Sequence, residues 1–316
     1  MVGYYGKGRF DVKRGRGGGN LWGRTLVSQI GSNGDMFQVR SWTFYEAVKD
    51  DVMKAGYVQF APVLGDLNAT ISKLDQLIGS APDADVLVLP ELCNSGYNFA
   101  SYDDAWACSE SVSESVFIEY LESIAVKLGR YIVSGFNERS GDALYNSAVL
   151  IGPSGYMGTY RKLHLFFKEK KIFAPGDKGL PVFDVEGCKM GMLICFDWLF
   201  PEVWRILALK GADLICHPSN LILPNWAQQA IPVHALINRV YVVLANRIGA
   251  EGKLSFTGLS MIASPRGEIL QEASGTDEEV GVAEVDPSRA RDKMITPFNH
   301  VLADRRPDVY SALGIT

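Results

Sequence analysis

Cysteine is scarce in this chain and follows no framework: five residues, an odd number, with no CxxC pair and no regular spacing. That excludes a disulfide scaffold and a cysteine-rich zinc site, and it suits a reducing, cytoplasmic setting. Long apolar runs are missing as well. No stretch approaches the roughly 18 residues that mark a spanning helix, and the N-terminus has no apolar signal-peptide core, so neither a membrane nor export is expected. Positive charge is in deficit, since 31 Lys and Arg against 36 Asp and Glu leave a net charge of −5. A general nucleic-acid surface is therefore not expected. No ligand cluster asks for a metal or another cofactor.

What is present is an ordinary globular composition, 47% hydrophobic and 21% charged over 316 residues, enough for a sizeable core. Three regions separate. Residues 1–52 include the Gly/Arg-rich KGRFDVKRGRGGGN, show no periodic apolar face, and read as a flexible extension. Residues 53–285 contain no linker and read as one domain. Residues 286–316 carry Arg289, Arg291, Arg305 and Arg306 among scattered aromatics and read as a tail that packs on something else.

Within the domain, AGYVQFAPV is a strand, and Asp66 caps a helix whose Leu67, Ile71, Leu74 and Ile78 share a face. DVLVL at 85–89 is a buried strand, so the opening is a strand-helix-strand unit of a partly parallel sheet. A helix with Phe117, Leu121, Ile124 and Leu128, stopped by Gly129, leads to strand 131–136. A hairpin of 145–151 and 156–162 turns at Gly152-Pro153-Ser154-Gly155. Strands follow at 181–185, before Cys195, and at 213–217; then a helix near 227–239, strand YVVLANR, and strands near 257–264, 268–274 and 279–285. About twelve strands with about four helices suggest two sheets face to face with helices outside.

The stretch KMGMLICFDWLFPEVW organises the rest. Met190, Leu193 and Ile194 belong to a buried strand, and Pro201-Glu202 open a helix, so Cys195 is predicted at a sharp strand-to-helix turn. There a thiol projects into a cleft, and backbone N–H groups and the helix N-terminus favour a developing anion. A lone cysteine ending an apolar strand is more often a buried structural residue, so its partners decide the matter. Glu91 ends strand 85–89 at the carboxyl edge where open α/β sheets bind ligands, and Lys162 ends the hairpin. A cysteine-histidine pair with His164 or His217 as base is the rival arrangement, and a non-catalytic protein of the same fold is the rival class.

Taken together, LPELCNSGY with Glu91, YRKLHLFFKEKKIFAPGD with Lys162 and GMLICFDWLFPE with Cys195 resemble, in order and spacing, the three signature blocks of the nitrilase superfamily of carbon-nitrogen hydrolases. HPSN at 217–220 and NRVYVVLANRIG at 238–249 extend the resemblance from about Met53 to Arg306. It implies an α/β four-layer α-β-β-α sandwich that forms a homodimer or higher homo-oligomer, with the tail of one subunit reaching over its partner. It also implies Cys195 as nucleophile, Glu91 as base, Lys162 as oxyanion stabiliser and Glu169 as a second glutamate orienting substrate and lysine. The two charges beside the thiol are expected to favour the thiolate, and the Phe196 N–H is a second oxyanion donor. Tyr97, Trp198, Asn220, Leu221, Leu223 and Trp226 are candidates for the substrate pocket.

The expected substrate is a small amide or nitrile. Phe196-Asp197 after the cysteine is the form seen in amidase and carbamoylase branches, whereas true nitrilases place tryptophan and glutamate there. Relatives often carry glutamate where this chain has Ile237, and the 1–52 extension has no counterpart in the family pattern.

Overall fold

The structure, a computed structural model, describes residues 20–30 and 36–46 by their backbone, and 52–310 and 314 in full. The chain divides into two compact units, Met1–Asp51 and Val52–Thr316. In the first, β1 (Asn20–Ile30) pairs antiparallel with β2 (Met36–Glu46) in continuous register from Asn20↔Glu46 to Ile30↔Met36. This strand pair lies inside the segment expected to be flexible. MFQVRSWTFYE is rich in the aromatic and β-branched residues that favour strands, and the Gly/Arg-rich stretch before it lies outside the described residues.

The second unit opens with β3 (Met53–Gln59), α1 (Leu67–Gly79) and β4 (Val86–Val88). Then come α2 (Tyr102–Ala107), α3 (Val116–Leu128), β5 (Tyr131–Ser140), β6 (Ala143–Gly152) and β7 (Gly155–Arg161). After a loop follow β8 (Val182–Val185), β9 (Cys188–Met192), α4 (Pro201–Leu209), β10 (Leu214–Pro218), α5 (Trp226–Asn238) and β11 (Tyr241–Ala245). A two-residue pair, β12 (Ala250–Glu251) and β13 (Leu254–Ser255), precedes β14 (Met261–Ala263), β15 (Ile269–Glu272) and β16 (Glu279–Val285). The tail holds α6 (Pro287–Arg291), β17 (Met294–Thr296) and β18 (Asn299–His300).

Two six-stranded mixed sheets result, ordered β16-β3-β4-β5-β6-β7 and β15-β14-β11-β10-β9-β8. Parallel pairing is confined to their centres, β3-β4-β5 and β9-β10-β11. The sheets meet through Tyr57, Val88, Val133, Leu150 and Tyr160 of one and Met190, Met192, Leu214 and Cys216 of the other, all fully buried. Outside the first sheet, α1 and α3 bury Leu74, Ile78, Phe117 and Leu121 against Val58, Leu87 and Val149. Outside the second, α4 and α5 bury Trp204, Leu207, Ile231 and Ala235 in the same cluster as the sheet. This is the four-layer α-β-β-α sandwich.

The first helix forms as its sequence dictates: the Asp66 carboxylate accepts the Ala69 N–H at 2.9 Å, and Pro201 sits in the first turn of α4 where its missing N–H costs nothing. In the tail, Lys293 Nζ donates to the carbonyls of Asn238 and Arg239 at the end of α5, at 3.2 and 2.7 Å, and Arg291 pairs with Asp213 at 2.8 Å. The start of the tail therefore packs on its own domain. Among the described residues no helix is long and apolar enough to cross a membrane.

Candidate active site

Cys195 stands at a turn that its neighbours hold in an unfavourable shape. Past β9 the chain enters a 3₁₀ turn, Cys195–Leu199, and Cys195 itself has φ of +43°. A side chain with a Cβ adopts that conformation at a cost of order 1–3 kcal/mol unless its surroundings over-determine it. Asp197, fully buried, supplies the restraint. One oxygen accepts the Ile194 N–H at 2.9 Å and the Tyr160 hydroxyl at 2.7 Å; the other accepts the His164 N–H at 3.2 Å and lies 2.7 Å from His164 Nδ1. Tyr160 and His164 flank Lys162 by two residues on each side, so one carboxylate ties the Cys195 turn to the segment that carries the lysine. The α-helix itself begins only at Pro201, so the helix end expected to face the thiol lies a full 3₁₀ turn away.

His217, at the end of β10, places Nε2 3.0 Å from the Cys195 carbonyl oxygen, which fixes Nε2 as the protonated nitrogen. Burial holds its pKa down at about 4, so the ring is neutral. The two histidines considered as bases are thus engaged elsewhere, one with Asp197 and one with a backbone carbonyl.

Glu91 lies just past β4, and its backbone comes so close to β5 that a Cβ on Gly135 would overlap Glu91 Cα. Lys162 follows β7, and Glu169 lies in a 3₁₀ turn, Phe167–Lys171. The three meet in the interior, none more than 4% exposed. Lys162 Nζ is 2.7 Å from Glu91 Oε1 and 2.9 and 2.8 Å from the two oxygens of Glu169. Asn146 Nδ2, on β6, donates to the same Glu91 oxygen at 2.7 Å. Glu91 Oε2 has no protein partner among the described residues. Tyr97 donates to Glu169 Oε1 at 2.7 Å, and its loop is held by Glu251, which accepts the N–H groups of Tyr97 and Asn98 and pairs with buried Arg247.

Electrostatics at the cluster correct the expectation of a thiolate. Burial, then the Glu91 carboxylate, push the Cys195 thiol well above its ordinary value, and Lys162 only partly offsets them. With two carboxylates to one ammonium the surroundings are net negative, so the resting group is a neutral thiol. Burial also pushes Lys162 down, but Glu169 and Glu91 together outweigh it and the ammonium is held above its usual range. Glu169 is raised to about 6, by burial first, with Lys162 pulling it down and Glu91 raising it. Neutral thiol, carboxylate and ammonium side by side are equipped for a proton transfer coupled to nucleophilic attack.

Beside the thiol is a cleft of about 250 Å³ lined by Phe166, Cys195, Phe196, Trp198, Asn220, Leu221, Ile222 and Leu223. Of the expected pocket residues, Trp198, Asn220, Leu221 and Leu223 line it. Tyr97 instead lines a second cleft with Glu169, Phe99 and Phe173, and Trp226, 61% exposed, lines a groove formed by Trp198 and residues of α5. Phe196, in the first turn of the 3₁₀ segment, has an N–H without an acceptor inside that segment. Sequence reasoning missed Asn146, Phe166, Ile222 and the bracing role of Asp197. An asparagine within the apolar run LYNSAVLIG was the one available signal.

The carbon-nitrogen hydrolase family model matches residues 54–293. A nitrilase from Pyrococcus abyssi is 47% identical over 261 residues, covering 82% of this chain and 99% of the relative. An N-carbamoylputrescine amidase from Arabidopsis thaliana is 32% identical over 275 residues, covering 78% and 91%. Among solved structures, a carbon-nitrogen hydrolase from Helicobacter pylori is similar with a TM-score of 0.69 at 29% identity, covering 84% of this chain and 98% of that one. The chain belongs to the carbon-nitrogen hydrolase family of the nitrilase superfamily, and it is an enzyme of that class.

Proposed function

We propose that the enzyme is a cysteine-dependent amidase that hydrolyses small linear amides, carbamoyl amides included, through a thioester on Cys195. The observation that carries this reading is the buried union of a neutral thiol with a carboxylate whose second oxygen is uncommitted and an ammonium. Glu91 takes the thiol proton as sulfur attacks the carbonyl carbon. Negative charge then develops on the carbonyl oxygen, where the Lys162 ammonium and the Phe196 N–H stabilise it. Glu169 keeps the lysine charged and oriented. The protonated Glu91 gives its proton to the departing nitrogen, which leaves as ammonia or an amine. A water molecule, deprotonated by Glu91, adds to the thioester, and collapse returns the thiol and releases the acid.

Amides are favoured over nitriles by Phe196-Asp197 after the nucleophile, by the carbamoylputrescine amidase relative, and by chemistry. An amide offers the two oxyanion donors an oxygen from the outset, and only stabilisation that grows toward the transition state accelerates the step. The Pyrococcus abyssi relative named a nitrilase supports the opposite choice. The assembly read with this function is a homodimer packed through the exposed Ile206, Leu209, Val233 and Leu236 of α4 and α5. The test measures ammonia release from matched amide and nitrile pairs, with intact-protein mass spectrometry of parent and Cys195→Ala. The expected result is amide turnover with an acyl adduct on the parent alone; turnover of nitriles with their amides inert overturns the proposal.

A further inference from the structure

The cleft beside the thiol is one-sided in its chemistry. Phe166, Phe196, Trp198, Leu221, Ile222 and Leu223 line it, and among the described residues no ionisable side chain other than Cys195 does. Behind it, among the described residues, Lys162 Nζ is paired with Glu91 and Glu169, and Glu169 is also bonded by Tyr97. A charged substituent on the substrate would lose its hydration here without gaining a partner, which is among the costliest transfers a site can impose.

The polar wall of the same cleft is short of donors. Asn220 Nδ2 donates to the Glu91 carbonyl oxygen at 2.9 Å, and that carbonyl can only accept, so the side-chain amide has one permitted orientation. Its Oδ1 is left buried without a protein partner among the described residues, as is Glu91 Oε2. The single S–H of Cys195 can satisfy one of these two acceptors. A ligand that brings N–H donors completes the set, and leaving a buried acceptor unpaired is penalised.

Resting on the amidase reading, we infer that the substrate is a primary amide of a small, uncharged, apolar acid. Its acyl chain packs on Phe196, Trp198, Leu221 and Leu223, and its NH₂ group donates to Asn220 Oδ1. Asn220 is then the residue that recognises the leaving nitrogen, and the cleft is what rejects charged acyl chains, including those ending in an ammonium.

The experiment compares kcat/KM for pentanamide, its near-isosteres 4-aminobutanamide and succinamate, N-methylpentanamide and pentanenitrile. Pentanamide is expected to exceed both charged analogues by about 100-fold or more, and N-methylpentanamide and the nitrile by about tenfold or more, because each removes an N–H. Leu223→Glu should raise the ratio of 4-aminobutanamide to pentanamide at least about tenfold by supplying the missing counter-charge. If a charged amide matches or exceeds pentanamide, the apolar assignment is overturned while the amidase reading stands. Equal rates with N-methylpentanamide overturn the role of Asn220 alone. Should every amide be inert and the nitrile turn over, the amidase reading falls and this inference with it.

Discussion

Arg161 and Lys162 are neighbours in sequence, both are buried, and each is paired with two carboxylates, yet they build opposite things. Arg161 donates from Nε and Nη2 to both oxygens of Glu138 and from Nη1 to Asp177, and it stacks 3.6 Å from the Tyr145 ring centroid. Ser147 closes the set by donating to Glu138. Every acceptor of Glu138 is used, and the planar fork of a guanidinium suits that closure. Lys162 instead leaves Glu91 Oε2 unsatisfied and sits by a thiol that resists ionisation. One cluster is saturated, the other reactive, and the difference is whether a polar atom is left over.

The comparison breaks most visibly at the reactive cluster. Glu91→Gln and Lys162→Ala should each lower kcat/KM by about 10²–10⁴ while the melting transition stays cooperative, because each removes a group used during proton transfer or oxyanion formation. Steady-state assay with thermal unfolding checks this, and retention of a tenth of parental rate would contradict either role. Arg161→Ala inverts the pattern. It leaves buried Glu138 with the more distant Lys178, 3.7 Å away, as its remaining cation, and a loss of about 3 kcal/mol is expected in denaturant unfolding, with kcat of the folded enzyme changed only a few-fold.

A smaller effect sharpens the reactive side. Glu169 is raised to about 6 from its ordinary 4.5 by burial, so as pH falls through about 6 it takes up a proton and Lys162 loses one of its two anionic partners. A pH–rate profile should show an acid limb near that value which Glu169→Gln removes. The sign for stability is opposite to that of a salt-bridged carboxylate with a lowered pKa. The folded form binds the proton more tightly than the unfolded chain, so this group's contribution is fully present below about 4.5 and lost as pH rises through about 6. The smallest effect is expected from removing residues 1–52. A chain beginning at Met53 should retain parental kcat/KM, since every residue of the two clusters lies beyond it, and loss of hydrolysis would assign residues 1–52 a part in the enzyme.

Much of this was legible in the sequence. Apolar strand runs, the Asp66 cap and the Pro201-Glu202 helix start placed the elements, and strand ends placed Glu91, Lys162 and Cys195 because carboxyl edges of parallel strands converge. Asn146 escaped because a polar residue in a strand ordinarily marks the solvent face, whereas here it is 1% exposed and aimed at Glu91. The thiol's ionisation was misjudged for a physical reason: sequence shows which charges are near, but not their sum after burial. Trp226 does not line the thiol's cleft itself; it opens α5 after Asn225 at φ +67° and reaches only the groove that shares Trp198 with that cleft, a displacement that proximity to Leu221 in sequence does not reveal.

The Asp197 brace has a mechanical meaning. Tyr160 belongs to β7 of one sheet, while Asp197 follows β9 of the other, so their hydrogen bond crosses between the two sheets at the level of the chemistry. Any sliding of one sheet on the other would carry Lys162 away from Cys195 if nothing joined them there. With Tyr160 and His164 both tethered to the carboxylate two residues past the thiol, a shift of β7 drags the nucleophile's turn along with it. On the proposed mechanism, that linkage couples the position of the attacking sulfur to that of the stabilising ammonium.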